Sequence, residues 1–81
     1  MDSYESLRST LATNIKRERK IRKLSQEKLA LNADVNRTFV SQIERKIGNP
    51  SLHTLSRLAD HLGIPCHELL VDESNSSVDK L

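Results

Sequence analysis

Two helix-start signals eleven residues apart, at Ser25 and Asn36, narrow the fold more than anything else in the sequence. Ser25-Gln26-Glu27-Lys28 is a half-complete capping box: the serine can accept from the backbone three residues on, but Lys28 stands where Glu or Gln would close the box. Asn36 is a good N-cap for a further helix. The helix opened by Ser25 must therefore stop near Asp34-Val35-Asn36, leaving a turn of about three residues. Two short helices joined so tightly cross at a steep angle, with small Ala30 where they approach and Leu29, Ala33, Val35, Val40 and Ile43 inside. This is helix-turn-helix spacing.

Helical periodicity extends over nearly the whole chain. Leu7, Leu11 and Ile15 recur every four residues and predict an amphipathic first helix that carries basic residues up to Lys23. The third helix is expected from Arg37 to about Arg45, with Val40 and Ile43 inward and Phe39 also assigned to core packing. Gly48-Asn49-Pro50 breaks the pattern, and Ser51 caps a fourth helix marked by Leu52, Leu55, Leu58, Ala59 and Leu62 and closed by Gly63. After Ile64-Pro65 a short fifth helix runs through His67, Glu68, Leu69 and Leu70. There is neither strand-like alternation nor an internal repeat. The expected architecture is all-α: a compact five-helix domain over residues 1–73, with the helix-turn-helix at about 26–45, followed by a flexible polar tail over 74–81.

Size and composition exclude several classes of function. With 81 residues and only Tyr4 and Phe39 as aromatics, the chain has little material for a large core. A domain this small buries roughly 60% of its unfolded surface, which favours support from a partner subunit and leaves no room for a deep catalytic cleft. No nucleophile, base and orienting residue stand in a recognisable arrangement, so an enzyme is not expected. His53, His61 and His67 with Cys66 match no common zinc spacing; no metal or cofactor is implied. The single cysteine suits a reducing cytoplasm, and no apolar run approaches the ~20 residues of a membrane span. A cytoplasmic protein without a membrane partner is expected. The formal charge of +2 hides an asymmetry: residues 16–46 hold ten basic and four acidic side chains, residues 58–81 one basic and five acidic. A basic half points to a polyanionic partner.

The polar face of the third helix carries base-reading chemistry. Arg37, Thr38, Ser41 and Gln42 fall on one stripe. In a major groove, which admits an α-helix, Arg forks onto guanine O6 and N7, Gln pairs with adenine N6 and N7, and a Thr methyl touches the thymine methyl.

Three stretches then line up with a known family: Leu24-Ser25-Gln26-Glu27-Lys28-Leu29-Ala30, Asn36-Arg37-Thr38-Phe39-Val40-Ser41-Gln42-Ile43-Glu44-Arg45, and Asn49-Pro50-Ser51-Leu52-His53-Thr54-Leu55. Over roughly residues 10–71 the chain resembles the XRE (Cro/C1-type) family of helix-turn-helix transcriptional regulators, which includes phage Cro and repressor domains and the controller proteins of restriction-modification systems. The resemblance implies a lambda-repressor-like fold and double-stranded DNA as partner. It implies base reading by Arg37, Thr38 and Gln42, contact with base or phosphate by Ser41, and a backbone contact or bracing role for Gln26. Arg45, Lys46 and Asn49 would grip phosphate after the recognition helix, and Asn36 at its N-cap is counted with the DNA-binding set. Arg19 and Glu44 match a buried ion pair between the first and third helices, while Arg22 or Lys23 would reach phosphate. Asp34, Lys23 and Lys46 replace glycines common in the family; Asp tolerates the left-handed conformation better than most residues. The family also implies a homodimer through the fourth and fifth helices, built from part of Leu62, Ile64, Cys66, Leu69, Leu70 and Val71, and possible contact with RNA polymerase. An antitoxin or other protein-interaction module on the same fold is the alternative.

Overall fold

Each of the four α-helices starts on a side-chain cap. In the computed structural model, which describes residues 3–72, these are α1 (Tyr4–Ile21), α2 (Gln26–Ala33), α3 (Arg37–Glu44) and α4 (Leu52–Leu62). Ser3, Ser25 and Ser51 hydroxyls accept from the backbone N–H groups of Ser6, Lys28 and Thr54 at 3.0, 2.9 and 3.1 Å, and Asn36 Oδ1 accepts from Thr38 at 2.8 Å. Each cap satisfies a backbone donor that the first turn leaves open, which contributes about 1 kcal/mol.

The helix ends share a mechanism too. Lys23, Asp34, Lys46 and Gly63 have φ of 58°, 57°, 63° and 72°, the left-handed region. After each of them the chain folds back: Leu24, Val35, Ile47 and Ile64 donate to the carbonyls of Arg19, Ala30, Gln42 and Ala59 at 2.9 to 3.1 Å. These six-to-one bonds are Schellman closures. The first helix is longer at its start than the leucine spacing predicts, beginning at Tyr4, and ends at Ile21, before Lys23.

One core joins all the elements. Leu11 and Ile15 from α1, Leu29, Ala30 and Ala33 from α2, Val40 and Ile43 from α3, and Leu55, Leu58, Ala59 and Leu62 from α4 are buried together with Leu69. Two expectations need correction. The fifth helix is a 3-10 helix, Cys66–Leu70, started by Pro65. Instead of an α-helical register, it is fixed by buried Asn14, whose Nδ2 donates to the carbonyls of Leu69 and Val71 at 2.9 Å and more loosely to Glu68 at 3.4 Å. Phe39 is not a core residue: 48% of its surface is exposed. Val40 and Ile43 take the inward direction of α3, and a residue one step before Val40 lies about 100° around the helix, on its flank.

The apolar end of the chain divides as well. Leu62 and Leu69 complete the core; Ile64, Cys66 and Leu70 are half-buried against it, and Val71 is exposed. The expected tail over 74–81, and residue 73 at the expected domain limit, lie outside the described residues.

Candidate nucleic-acid interface

The face of α3 opposite Val40 and Ile43 assembles the stripe expected from the sequence. Arg37 and Thr38 are exposed in its first turn, and Ser41 and Gln42 are half-buried in its second. Arg45, Lys46 and Asn49 follow as exposed residues of the connection to α4. Asn36 sits at the head of α3; its Oδ1 is committed to the helix cap, leaving the NH2 group as its available donor.

The loop after α3 holds Gln42 in place. The Gln42 carbonyl accepts from both Ile47 and Gly48, at 3.0 and 3.2 Å. Gly48 packs so closely that a Cβ on it would lie 3.1 Å from Gln42 Cβ. Phe39 and Gln42, one helical turn apart, form one wall of an open hollow of about 260 Å³ whose other side is Gly48, Asn49, Pro50 and Ser51.

Behind this face an ionic network ties α3 to the rest of the molecule. Arg19 of α1 forks onto Glu44: Nε to Oε2 at 2.8 Å and Nη2 to Oε1 at 3.0 Å, with Nη1 on the Leu24 carbonyl at 2.8 Å. Only 12% and 2% of the two side chains are exposed. Gln26 Nε2 donates to the same Glu44 Oε1 at 3.0 Å, so of its two expected roles the bracing one is built into the fold. Burial pushes the Glu44 carboxyl pKa up, but the hydrogen bonds from Arg19 and Gln26 and the positive charges of Arg19 and Lys16 outweigh it, and the net shift is downward. The hydrogen bond to Glu44 likewise raises Arg19, against the opposing effect of burial.

At the end of α1, its C-cap residue Arg22 is engaged with the helix that it closes. Its Nη1 donates to the Glu18 carbonyl at 2.9 Å and to Glu18 Oε1 at 2.7 Å, a bond that lowers the Glu18 carboxyl pKa. Lys23 is exposed at the left-handed helix end. Two positioning residues escaped the sequence reading. Arg57 of α4 reaches the Ala33 carbonyl and Asp34 Oδ2 at 3.4 and 3.5 Å, linking α4 to the turn between α2 and α3. Asn14 was visible only as a polar residue interrupting the Leu11 and Ile15 stripe.

A family model described as helix-turn-helix matches residues 15–69, spanning all of α2, α3 and α4. The chain belongs to the helix-turn-helix family of XRE type. That family consists of DNA-binding regulators, not enzymes. Control protein C.SmaI of Serratia marcescens is 37% identical over 83% of this chain and 80% of its own length. The crystal structure of a hypothetical transcription factor from Neisseria superposes with a TM-score of 0.84 at 33% identity, covering 94% of this chain and 87% of that one. SinR, described as the master regulator for biofilm formation and solved in complex with DNA, superposes with a TM-score of 0.72 at 34% identity over 75% of this chain and 98% of that one. Some curated relatives are longer: the matches span 45% of the immunity repressor protein of Bacillus phage phi105, at 42% identity, and 63% of the Neisseria protein. Among the described residues, no helix is long and apolar enough to cross a membrane.

Proposed function

We propose that the chain is a sequence-specific transcriptional regulator that binds a roughly palindromic DNA operator as a homodimer, with α3 in the major groove. The observation that carries this reading is the outward stripe of Arg37, Thr38, Ser41 and Gln42 on a helix whose opposite side is locked into the core. Arg37, Thr38 and Gln42 read base edges, and Ser41 contacts a base or a phosphate. Arg45, Lys46 and Asn49 hold phosphates beyond the end of α3, with Asn36 and Gln26 at the starts of α3 and α2. Regulation follows from blocking or recruiting RNA polymerase at the operator. Dimerisation through α4 and the 3-10 helix is supported by exposed Val71 beside half-buried Ile64 and Leu70.

Selection of bound sequences from a random duplex pool, together with sedimentation, tests this reading. The expected result is a dimer and a symmetric consensus whose half-sites lie about 34 Å apart, one turn of DNA. Arg37→Ala should cost ~1 to 3 kcal/mol and relax one base position, whereas Lys46→Ala should weaken all sequences alike and reduce the salt slope by about one. A protein that selects no sequence, or whose selected site binds Arg37→Ala as tightly as the wild type, would overturn it.

A further inference from the structure

Phe39 lies outside the DNA-reading set assigned above, yet its surroundings are those of a reader. An exposed apolar side chain is common and by itself means little. Three observations set this one apart. The ring has almost half its surface in solvent on a helix of only eight residues, at the edge of the polar stripe and one helical turn before half-buried Gln42. It shares one wall of an open hollow with Gln42. That wall is rigid, because Gly48 abuts Gln42 Cβ and the 47–48 backbone holds the Gln42 carbonyl. The recognition face therefore presents a fixed apolar surface in register with a base-reading amide.

We infer that Phe39 is a further specificity determinant, its exposed ring edge packing on the C5-methyl group of a thymine next to the base pair read by Gln42. The inference rests on the proposed entry of α3 into the major groove, where thymine offers its methyl as an apolar feature and phenylalanine is among the side chains suited to it. Burial of one methyl group between ring and base corresponds to a change in Kd of about fourfold.

The test uses the full chain and the duplex it selects. Each thymine of a half-site is replaced in turn by deoxyuridine, which lacks only the methyl, and Kd is measured for the wild type, Phe39→Ala and Phe39→Leu. The expected result is a thymine in each half-site whose methyl matters about fourfold to the wild type, partly to Phe39→Leu, and not at all to Phe39→Ala. Circular dichroism melting keeps the comparison valid; if Phe39→Ala does not fold, Phe39→Leu and Phe39→Met supply the reduced dependence. A selected duplex in which no methyl effect depends on residue 39 would overturn this inference while leaving the proposed function standing. Failure of the wild type to select any duplex would instead overturn the proposed function and this inference with it.

Discussion

A methyl group added at Gly48 would meet Gln42 Cβ at 3.1 Å and the Gln42 carbonyl carbon and Ile43 nitrogen at 3.3 Å. Two of those atoms belong to the α3 backbone, which cannot rotate away as a side-chain tip can. Gly48→Ala should therefore tilt Gln42 out of position, costing about 1 kcal/mol of stability by overpacking and reducing discrimination at the base proposed for Gln42. Urea denaturation and repeat selection on the variant check the two effects; full stability together with unchanged discrimination would show that the loop moved and left Gln42 in place. At this scale the polar stripe of α3 was legible because Arg37, Thr38, Ser41 and Gln42 obey the helical period away from Val40 and Ile43. Phe39 was not legible. Aromatic bulk next to Val40 reads as core in one dimension, while the actual angle around α3 places it on the flank. The grip of Gly48 on Gln42 depends on backbone distances that no residue type announces.

Among elements, the four left-handed helix ends combine one mechanism with three residue types, Lys, Asp and Gly. Only Gly63 adopts this conformation without steric cost; for a side-chain-bearing residue it costs roughly 1 kcal/mol or more. Asp34 has partial compensation from Arg57, but Lys23 and Lys46 have exposed side chains at φ of 58° and 63°. Lysine at such a position makes sense if its charge is wanted where the chain leaves a helix beside phosphate. Lys46→Gly should accordingly raise Tm by about 4–8 °C, as expected for roughly 1 kcal/mol in a domain of this size, and at the same time weaken binding to every duplex. Thermal melting and a salt titration of Kd read the two sides of this exchange, and a variant that gains stability without losing affinity would remove Lys46 from the phosphate contacts. The α-helices were legible from their caps and periodicity, since Ser25, Asn36 and Ser51 each announce a start. A short fifth helix was legible, but its 3-10 geometry was not. Five residues after a proline hold too few periods to separate the two geometries, and the partner that fixes it, Asn14, lies 54 to 57 residues away along the chain.

At the scale of the whole molecule, Glu44 binds α1, α2 and α3 into one body. It receives two hydrogen bonds from Arg19 and one from Gln26 while almost fully buried, so the orientation of α3 depends on a carboxylate staying charged. Its pKa is lowered on folding, so the unfolded chain takes up this proton at a higher pH than the native one. Stability from the network is then complete above about pH 4.5, the ordinary value, and is lost as pH falls through the lower native value. Glu18 is shifted in the same direction by Arg22, but that pair lies nearer the surface and contributes less. Glu44→Gln keeps the shape and removes the charge, leaving the Arg19 guanidinium without its counter-ion. The expected cost is about 3 kcal/mol near neutral pH, because removing one partner strands the other in a poorly solvated site. The difference between wild type and Glu44→Gln should narrow steadily once the pH drops below 4.5. Urea denaturation of both proteins between pH 7 and pH 3 measures it, and two stability curves that stay parallel over that range would mean that Glu44 is not the group whose ionisation holds the three helices together.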